Sequence, residues 1–208
     1  MMMKMQIVFY RFFSGLCLLL LLFGAAAQLP ADSREGNLDV FLLLDRSLSM
    51  EQEFASLQKY VENNIFDTVL QNGDSITMIA FYGEIQPLVS GVFGRDVEIS
   101  DLNTLLYSLH PDRHYTDIGS ALDHLEESVE TNSRAGYPSY VLLLTDGIHE
   151  GPPGSPYPGK TDTFSHPLLE LQKQSQYEGW NICLLAITVE DKADELAEEV
   201  ISAWQARN

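Results

Sequence analysis

The sequence predicts an α/β fold: a Rossmann-like open sheet that is mostly parallel, with helices on both faces and one antiparallel edge strand. Two observations predict it. Several apolar runs are nearly uninterrupted, which indicates strands buried on both faces, as in a parallel sheet covered by helices. Segments with apolar residues at helical spacing alternate with these runs. The chain has 208 residues, 45% of them hydrophobic and 20% charged, so it is long and apolar enough for a core.

Five strands are expected. Leu38 to Leu44, Val141 to Leu144 and Ile182 to Val189 are the buried apolar runs. Ser75 to Tyr82 is a further strand, and Ile85 to Phe93 follows it directly after Gly-Glu. So short a connection is typical of a hairpin, and it places the strand from Ile85 at an antiparallel edge.

Helices are predicted where apolar residues recur on one helical face. These stripes begin at Phe54, Leu102, Ile118 and Leu196, and a weaker one lies near Leu168 to Tyr177. We interpret all of them as faces that pack on the sheet.

Residues 1–27 have the pattern of a secretory signal peptide. Lys4 and Arg11 precede an apolar run that ends in three alanines, the small residues that a signal peptidase reads. The run is about 16 residues long, shorter than the roughly 20 that span a bilayer. An uncleaved N-terminal membrane anchor is the alternative. The expected organisation is therefore a signal peptide, a short linker at 28–36 and one domain at 37–208.

The composition limits the partners. The chain has 30 Asp and Glu against 12 Lys and Arg, and losing two basic residues with the leader would change its net charge from −18 to −20. This balance argues against nucleic acid and anionic lipid and favours a cation or a basic partner. Cleavage would also leave Cys183 without a disulfide partner. With no Asn-x-Ser/Thr site, this favours a bacterial protein in the periplasm, at the cell surface or secreted.

Each of three predicted strand-to-helix junctions carries carboxylate or hydroxyl side chains. Asp45, Ser47 and Ser49 follow the first strand, Thr116 opens a helix, and Asp146 follows the strand from Val141. Functional groups of doubly wound sheets gather at this carboxyl edge, so we expect the five residues to converge. An all-oxygen set suits a hard cation, most of all Mg²⁺, with Mn²⁺ or Ca²⁺ as alternatives.

Each group also has a simpler interpretation when it is taken alone. Ser49 and Gln52 match a helix capping box, Thr116 is a candidate helix N-cap, and Asp146 before Gly147 is common turn chemistry. Only the combination at one edge argues for a site.

In this combination the sequence resembles a von Willebrand factor type A domain with an intact metal-ion-dependent adhesion site. The family pattern is D-x-S-x-S after the first strand, a Thr before the fourth and an Asp after the fourth. The resemblance covers Leu38 to the C-terminus. It implies that the hydroxyls contact the metal, that the carboxylates mainly hold coordinating waters, and that an open position accepts a carboxylate from a protein ligand. The matching residues are Asp45, Ser47, Ser49, Thr116 and Asp146.

Four flanking residues are candidates for ligand contact. Arg46 either guides an acidic ligand or points to solvent, and Asp117 follows Thr116 as in the family. His114 and His149 are interpreted as solvated loop histidines, able to tune ligand binding at acidic pH, rather than as zinc ligands.

A proline-rich stretch from Gly147 to His166 is predicted to be irregular. Residues 154–161 match the phosphate-loop pattern, but they do not follow a strand directly, and Pro156 and Pro158 have no N–H to offer a phosphate. We expect residues 148–163 instead to project beside the metal and to influence partner choice while leaving metal affinity unchanged.

The sequence therefore predicts an exported, non-enzymatic adhesion or recognition module with no small-molecule cofactor, since no nucleophile elbow or acid/base pair is recognisable. One alternative is an assembly subunit of a cell-envelope complex, and a metal-dependent hydrolase is less favoured. The family usually adds a sixth strand and a last helix, whereas this sequence stops at Asn208. The expectation is a domain that lacks its last strand or a fragment.

Overall fold

The fold centres on one five-stranded sheet. The structure is a computed structural model that describes residues 36–161, 166–168 and 180–186, the last of these as backbone. Along the chain the strands are β1 (Asp39–Asp45), β2 (Ser75–Phe81), β3 (Ile85–Val92), β4 (Ser139–Thr145), β5 (His149–Gly151), β6 (Gly159–Thr161) and β7 (Trp180–Ala186).

The sheet has the order β3-β2-β1-β4-β7. β1 pairs in parallel with both β2 and β4, and β7 pairs in parallel with β4. β3 pairs antiparallel with β2 at the edge, with a register shift between Met78 and Ile79. The predicted open, mostly parallel α/β sheet with one antiparallel edge strand is confirmed.

Three helices cover the sheet within the described residues. They are α1 (Phe54–Tyr60), which continues as a π-helical segment (Val61–Phe66), α2 (Ile99–Ser108) and α3 (Ile118–Asn132). None of the described helices is long and apolar enough to cross a membrane. The predicted helix from Leu196, almost all of the one near Leu168 to Tyr177, the N-terminal segment and any sixth strand lie outside the described residues.

Alternation along β1 builds two cores. All seven residues of β1 are buried. Because successive strand residues point to opposite faces, Leu42 and Leu44 pack with α1 and α2, whereas Phe41 and Leu43 pack with α3. Burial on both faces fixes β1 at the centre of the sheet, so Asp45 emerges in the middle of its carboxyl edge.

The proline-rich stretch differs from the prediction of an irregular loop. β5 and β6 form an antiparallel hairpin in which His149 pairs with Thr161 and Gly151 with Gly159. The prolines lie between the two strands, where their missing N–H groups break no ladder bond. The hairpin is therefore a folded insertion beside the site.

Candidate metal centre

Asp45 ends the central strand as a fully buried carboxylate, with 0% exposure. The Ser47 N–H donates to its Oδ1 at 2.9 Å, and the Thr145 hydroxyl donates to its Oδ2 at 2.6 Å. Burial raises the pKa of Asp45 to about 6, with the nearby Asp146 charge adding to the rise and the hydrogen bonds from Ser47 and Thr145 opposing it. The fold therefore holds this carboxylate in place where its negative charge is poorly solvated.

Ser47 and Ser49 stand on the turn that leaves β1. A single 3-10 turn (Leu48–Met50) follows Ser47, and the two hydroxyl oxygens lie 2.9 Å apart. The capping-box interpretation of Ser49 is wrong, because α1 begins only at Phe54, with Glu53 at its N-cap position. The turn instead presents both hydroxyls side by side.

Thr116 is fixed through its backbone. Its N–H donates to the Glu150 carbonyl and its carbonyl accepts the Glu150 N–H, both at 2.8 Å. The expected N-cap role belongs to the next residue: Asp117 accepts the Ser120 N–H at 3.0 Å and the Ser120 hydroxyl at 2.9 Å. Asp117 is 2% exposed, so it supports the helix start and does not project toward a ligand.

Asp146 occupies the turn after β4. Its Oδ1 accepts the Ile148 N–H at 2.9 Å, and Gly147 follows with a φ of 80°, a left-handed conformation that favours glycine. The turn chemistry expected from the sequence is therefore present. Because β1 and β4 are parallel neighbours with Leu44 opposite Leu144, Asp45 and Asp146 follow at the same edge, and the Asp146 charge adds to the rise in the Asp45 pKa.

The three hydroxyl residues line one open cavity of about 470 Å³, whereas Asp45 and Asp146 are not among its lining residues. Ser47, Ser49 and Thr116 line it together with Arg113 and Glu150. No group of three or more His, Cys, Asp or Glu side chains in the described part of the chain is arranged to hold a metal, so a ligand set here depends on the hydroxyls.

The geometry of the two serines fits an octahedral cation. Adjacent ligands of Mg²⁺, each about 2.1 Å from the ion, lie about 3.0 Å apart. The Ser47 and Ser49 oxygens are hydrogen-bonded to each other at 2.9 Å, close to that separation. The donor set contains only oxygens, as Mg²⁺ and Mn²⁺ prefer, and the nearby buried charge of Asp45 would be compensated by a cation. The residues present therefore fit a hard divalent ion.

Arg46 does not extend into solvent, as one interpretation of the sequence expected. It is 8% exposed. Its guanidinium donates to Gln86 Oε1 at 2.8 Å and to Asp112 Oδ1 at 2.6 Å. The Arg46 Cζ atom lies 5.7 Å from the centre of the Tyr82 ring. Arg46 thus ties the turn after β1 to the segment that precedes Thr116. The Leu48 N–H, which donates to the Arg113 carbonyl at 2.8 Å, reinforces this tie.

The two flanking histidines differ. His114 is exposed, in accord with the sequence interpretation. His149 is not solvated: it is 2% exposed in β5, with its Nε2 2.8 Å from the Tyr157 carbonyl oxygen. His149 is buried because the hairpin of β5 and β6 folds around its ring.

The hairpin is anchored on α3. The Tyr157 hydroxyl donates to Asp123 Oδ1 at 3.0 Å, and His166 Nε2 lies 3.1 Å from the same oxygen. The Tyr157 ring covers Gly119, where any side chain would overlap it. Glu150 of the hairpin pairs with Thr116 through the backbone, and the expectation that residues 148–163 influence partner choice without changing metal affinity stays a prediction.

Sequence reasoning missed two residues of this edge. Thr145 orients Asp45 from the neighbouring strand, and the position of its hydroxyl at the strand end was a visible signal. Asp112 holds Arg46 from a distant loop, and no local pattern identifies it.

The chain belongs to the von Willebrand factor type A domain family, whose sequence model matches residues 39–197. It is also 30% identical over 188 residues to an uncharacterized protein of Treponema pallidum (strain Nichols), covering 89% of this chain and 84% of that protein.

Solved structures share the fold at low sequence identity. An aerotolerance-related membrane protein from Bacteroides fragilis NCTC 9343, crystallised with multiple mutations to serines, is 19% identical, with a TM-score of 0.52 over 74% of this chain and 70% of that one. The manganese-loaded TRAP protein of Plasmodium vivax is 17% identical, with a TM-score of 0.55 over 80% of this chain and 63% of that one. The chain thus spans less than two thirds of the TRAP structure.

Proposed function

We propose that this protein binds one divalent cation, Mg²⁺ in the first place, at the carboxyl edge of its sheet, and through it an acidic group of a protein ligand. Ser47, Ser49 and Thr116 would contact the ion through their hydroxyls. Asp45 and Asp146 would mainly hold coordinating waters and compensate the ion's charge. The ion would supply the Lewis-acidic position that accepts the ligand's carboxylate.

One observation carries this proposal. Two serine hydroxyls, hydrogen-bonded to each other at 2.9 Å, line a cavity that Thr116 also lines, beside a fully buried carboxylate. Family membership supports it, since type A domains often bind a divalent cation, and so does the manganese carried by the TRAP structure. Hydroxyl ligands leave the ion electropositive, which favours binding of an anionic group, and the sequence offers no recognisable nucleophile elbow or acid/base pair for a reaction. We therefore place the protein among adhesion or recognition modules and not among enzymes.

We place the protein outside the cytoplasm, in the periplasm, at the cell surface or secreted. The signal-peptide pattern of residues 1–27 supports export. A second candidate function is assembly of a cell-envelope complex, with the metal secondary. The fold shared with a bacterial membrane protein favours it. Co-purification with envelope proteins, unaffected by EDTA, would support assembly over metal-dependent recognition.

Isothermal titration with Mg²⁺ and Mn²⁺ tests the proposal. The purified protein should bind about one ion, and Asp45→Ala should abolish binding because it removes the charge that compensates the cation. Asp96→Ala is the matched control: this exposed aspartate lies between β3 and α2 and should leave binding intact. A folded wild-type protein that binds neither ion would contradict the proposal and favour the assembly role.

A further inference from the structure

Apolar side chains are exposed around the cavity. Within the described residues, five large hydrophobic side chains are strongly exposed, and three of them neighbour site residues in sequence. Leu48 (41% exposed) lies between the two serines, Tyr115 (41%) precedes Thr116, and Ile148 (38%) follows the Asp146 turn. Single exposed apolar residues are ordinary, but their concentration at one edge is typical of an interaction surface.

Tyr115 is held on this surface in an unfavourable backbone conformation. Its φ is 67°, and no other non-glycine residue in the described part of the chain has a positive φ. Bulky residues rarely adopt this conformation, and they do so mostly where a site requires it. The next two residues pin it, since Thr116 donates to Glu150 and Asp117 to Tyr82, each at 2.8 Å.

Gly83 makes room for the tyrosine. A Cβ at position 83 would lie 3.1 Å from the Tyr115 Cβ and 3.3 Å from the His114 carbonyl oxygen. A strained backbone at Tyr115 and a glycine at position 83 together leave an aromatic ring half exposed beside Thr116. Packing of the core does not require such an arrangement, whereas contact with a ligand would explain it.

An exposed guanidinium lies at the cavity of this acidic chain. Asp112 contacts two guanidinium groups, Arg46 at 2.6 Å and Arg113 at 3.2 Å, so this cluster carries one net positive charge. The side chain of Arg113 is 52% exposed, and the residue lines the cavity. Glu150, which also lines the cavity, pairs with Lys160 at 3.4 Å. Asp45, Asp117 and Asp146 lie at the same edge, so the positive charge is local to Arg113, and there it is complementary to an acidic ligand.

We propose that Leu48, Arg113, Tyr115 and Ile148 form a specificity surface for an acidic peptide segment of a partner protein. The Asp or Glu that reaches the metal is flanked in that segment by a bulky apolar side chain, which packs on Tyr115 and Leu48 while Arg113 attracts the acidic segment. This inference rests on the proposed metal-dependent function and names its partner class.

Selection from a random heptapeptide library displayed on phage tests the inference. The library is panned on the immobilised protein in Mg²⁺ and eluted with EDTA. We expect enrichment of peptides with an Asp or Glu next to Phe, Tyr, Trp, Leu or Ile. A selected peptide should then bind Tyr115→Gly about tenfold more weakly at saturating Mg²⁺, because a central aromatic contact is lost. Glycine suits the left-handed conformation, so this variant is expected to fold.

Tyr137→Ala is the matched control. Tyr137 is 42% exposed but precedes β4, at the opposite edge of the sheet, and should not affect the peptide. Acidic peptides without apolar neighbours, no EDTA-eluted peptides, or equal affinity for Tyr115→Gly would each overturn the specificity surface while leaving the metal site in place. Failure to bind Mg²⁺ in the titration above would instead overturn the proposed function itself.

Discussion

Buried aspartates at the amino and carboxyl edges of the central sheet have different partners. At the amino edge, Asp39 (0% exposed) accepts Arg134 Nε at its Oδ1 and the Arg134 N–H at its Oδ2, both at 2.6 Å. The remaining guanidinium nitrogens of Arg134 donate to the carbonyls of Gly73 and Leu38 at 2.8 Å. This edge is electrostatically closed, since the fold itself provides the cation and its hydrogen-bond partners.

At the carboxyl edge, Asp45 is equally buried but has no such partner. Among the described residues, no cationic side chain lies within ion-pair distance of it, and the hydrogen bonds to its two oxygens come from Ser47 and Thr145. Nearby Arg46 is directed to Asp112 instead. The comparison shows that the protein pairs one buried carboxylate with its own cation and leaves the other without one, and the proposed divalent ion would compensate the second.

The largest effect is expected at the closed edge. Arg134→Met leaves Asp39 buried without its cation, and the free energy of unfolding should fall by about 3–5 kcal/mol. Urea denaturation measures it. Arg95→Met is the control, because that arginine, 71% exposed, pairs with Asp96 in solvent and should leave the unfolding midpoint unchanged. Equal effects of the two variants would refute the closed-edge interpretation.

The second effect has the opposite sign. Without metal, Asp45→Asn should stabilise the protein at pH 8 by about 2 kcal/mol, with the Thr145 hydroxyl oxygen accepting the new amide N–H. Because burial raises the pKa of Asp45 from 3.8 to about 6, protonation favours the folded state, and the stability it contributes is lost as pH rises through 6.

Urea unfolding in EDTA at pH 5 and pH 8 measures this difference. The gain should be larger at pH 8, and excess Mg²⁺ should reverse the order by stabilising only the wild type. Asp96→Asn serves as control, since Arg95 holds the pKa of Asp96 at about 2, and removal of that carboxylate should give no gain at either pH. Destabilisation by Asp45→Asn at pH 8 in EDTA would show that this charge is already compensated.

The smallest effect concerns the hairpin. In Gly119→Ala the added methyl overlaps the Tyr157 ring and displaces the hairpin, whose Glu150 backbone pairs with Thr116. We expect Mg²⁺ affinity to fall about fivefold in isothermal titration, roughly 1 kcal/mol. Glu130→Ala, an exposed change on the same helix, should have no effect. Unchanged affinity in Gly119→Ala would support the expectation that the hairpin influences partner choice alone.

Most of the fold followed from local patterns. The apolar runs placed β1 and β4 within two residues of their observed bounds, because burial on both faces leaves a signature in consecutive residues. The two-residue connection also predicted the antiparallel edge. The hairpin of β5 and β6 was missed, since its strands have three residues each and are stabilised partly by Thr116, far away in the chain.

By itself, the sequence determined which oxygens reach the carboxyl edge. The candidate site residues all flank ends of regular elements, and the local periodicity of the sequence predicts where those ends are. They are Asp45, Ser47, Ser49, Thr116 and Asp146. Only the tertiary structure decided how this edge is held. Thr145 orients Asp45 across 100 residues and Asp112 holds Arg46 across 66, while His149 is buried by a hairpin that packs on α3. Such partners depend on strand order and packing, which bring distant segments together without leaving a periodic trace in either one.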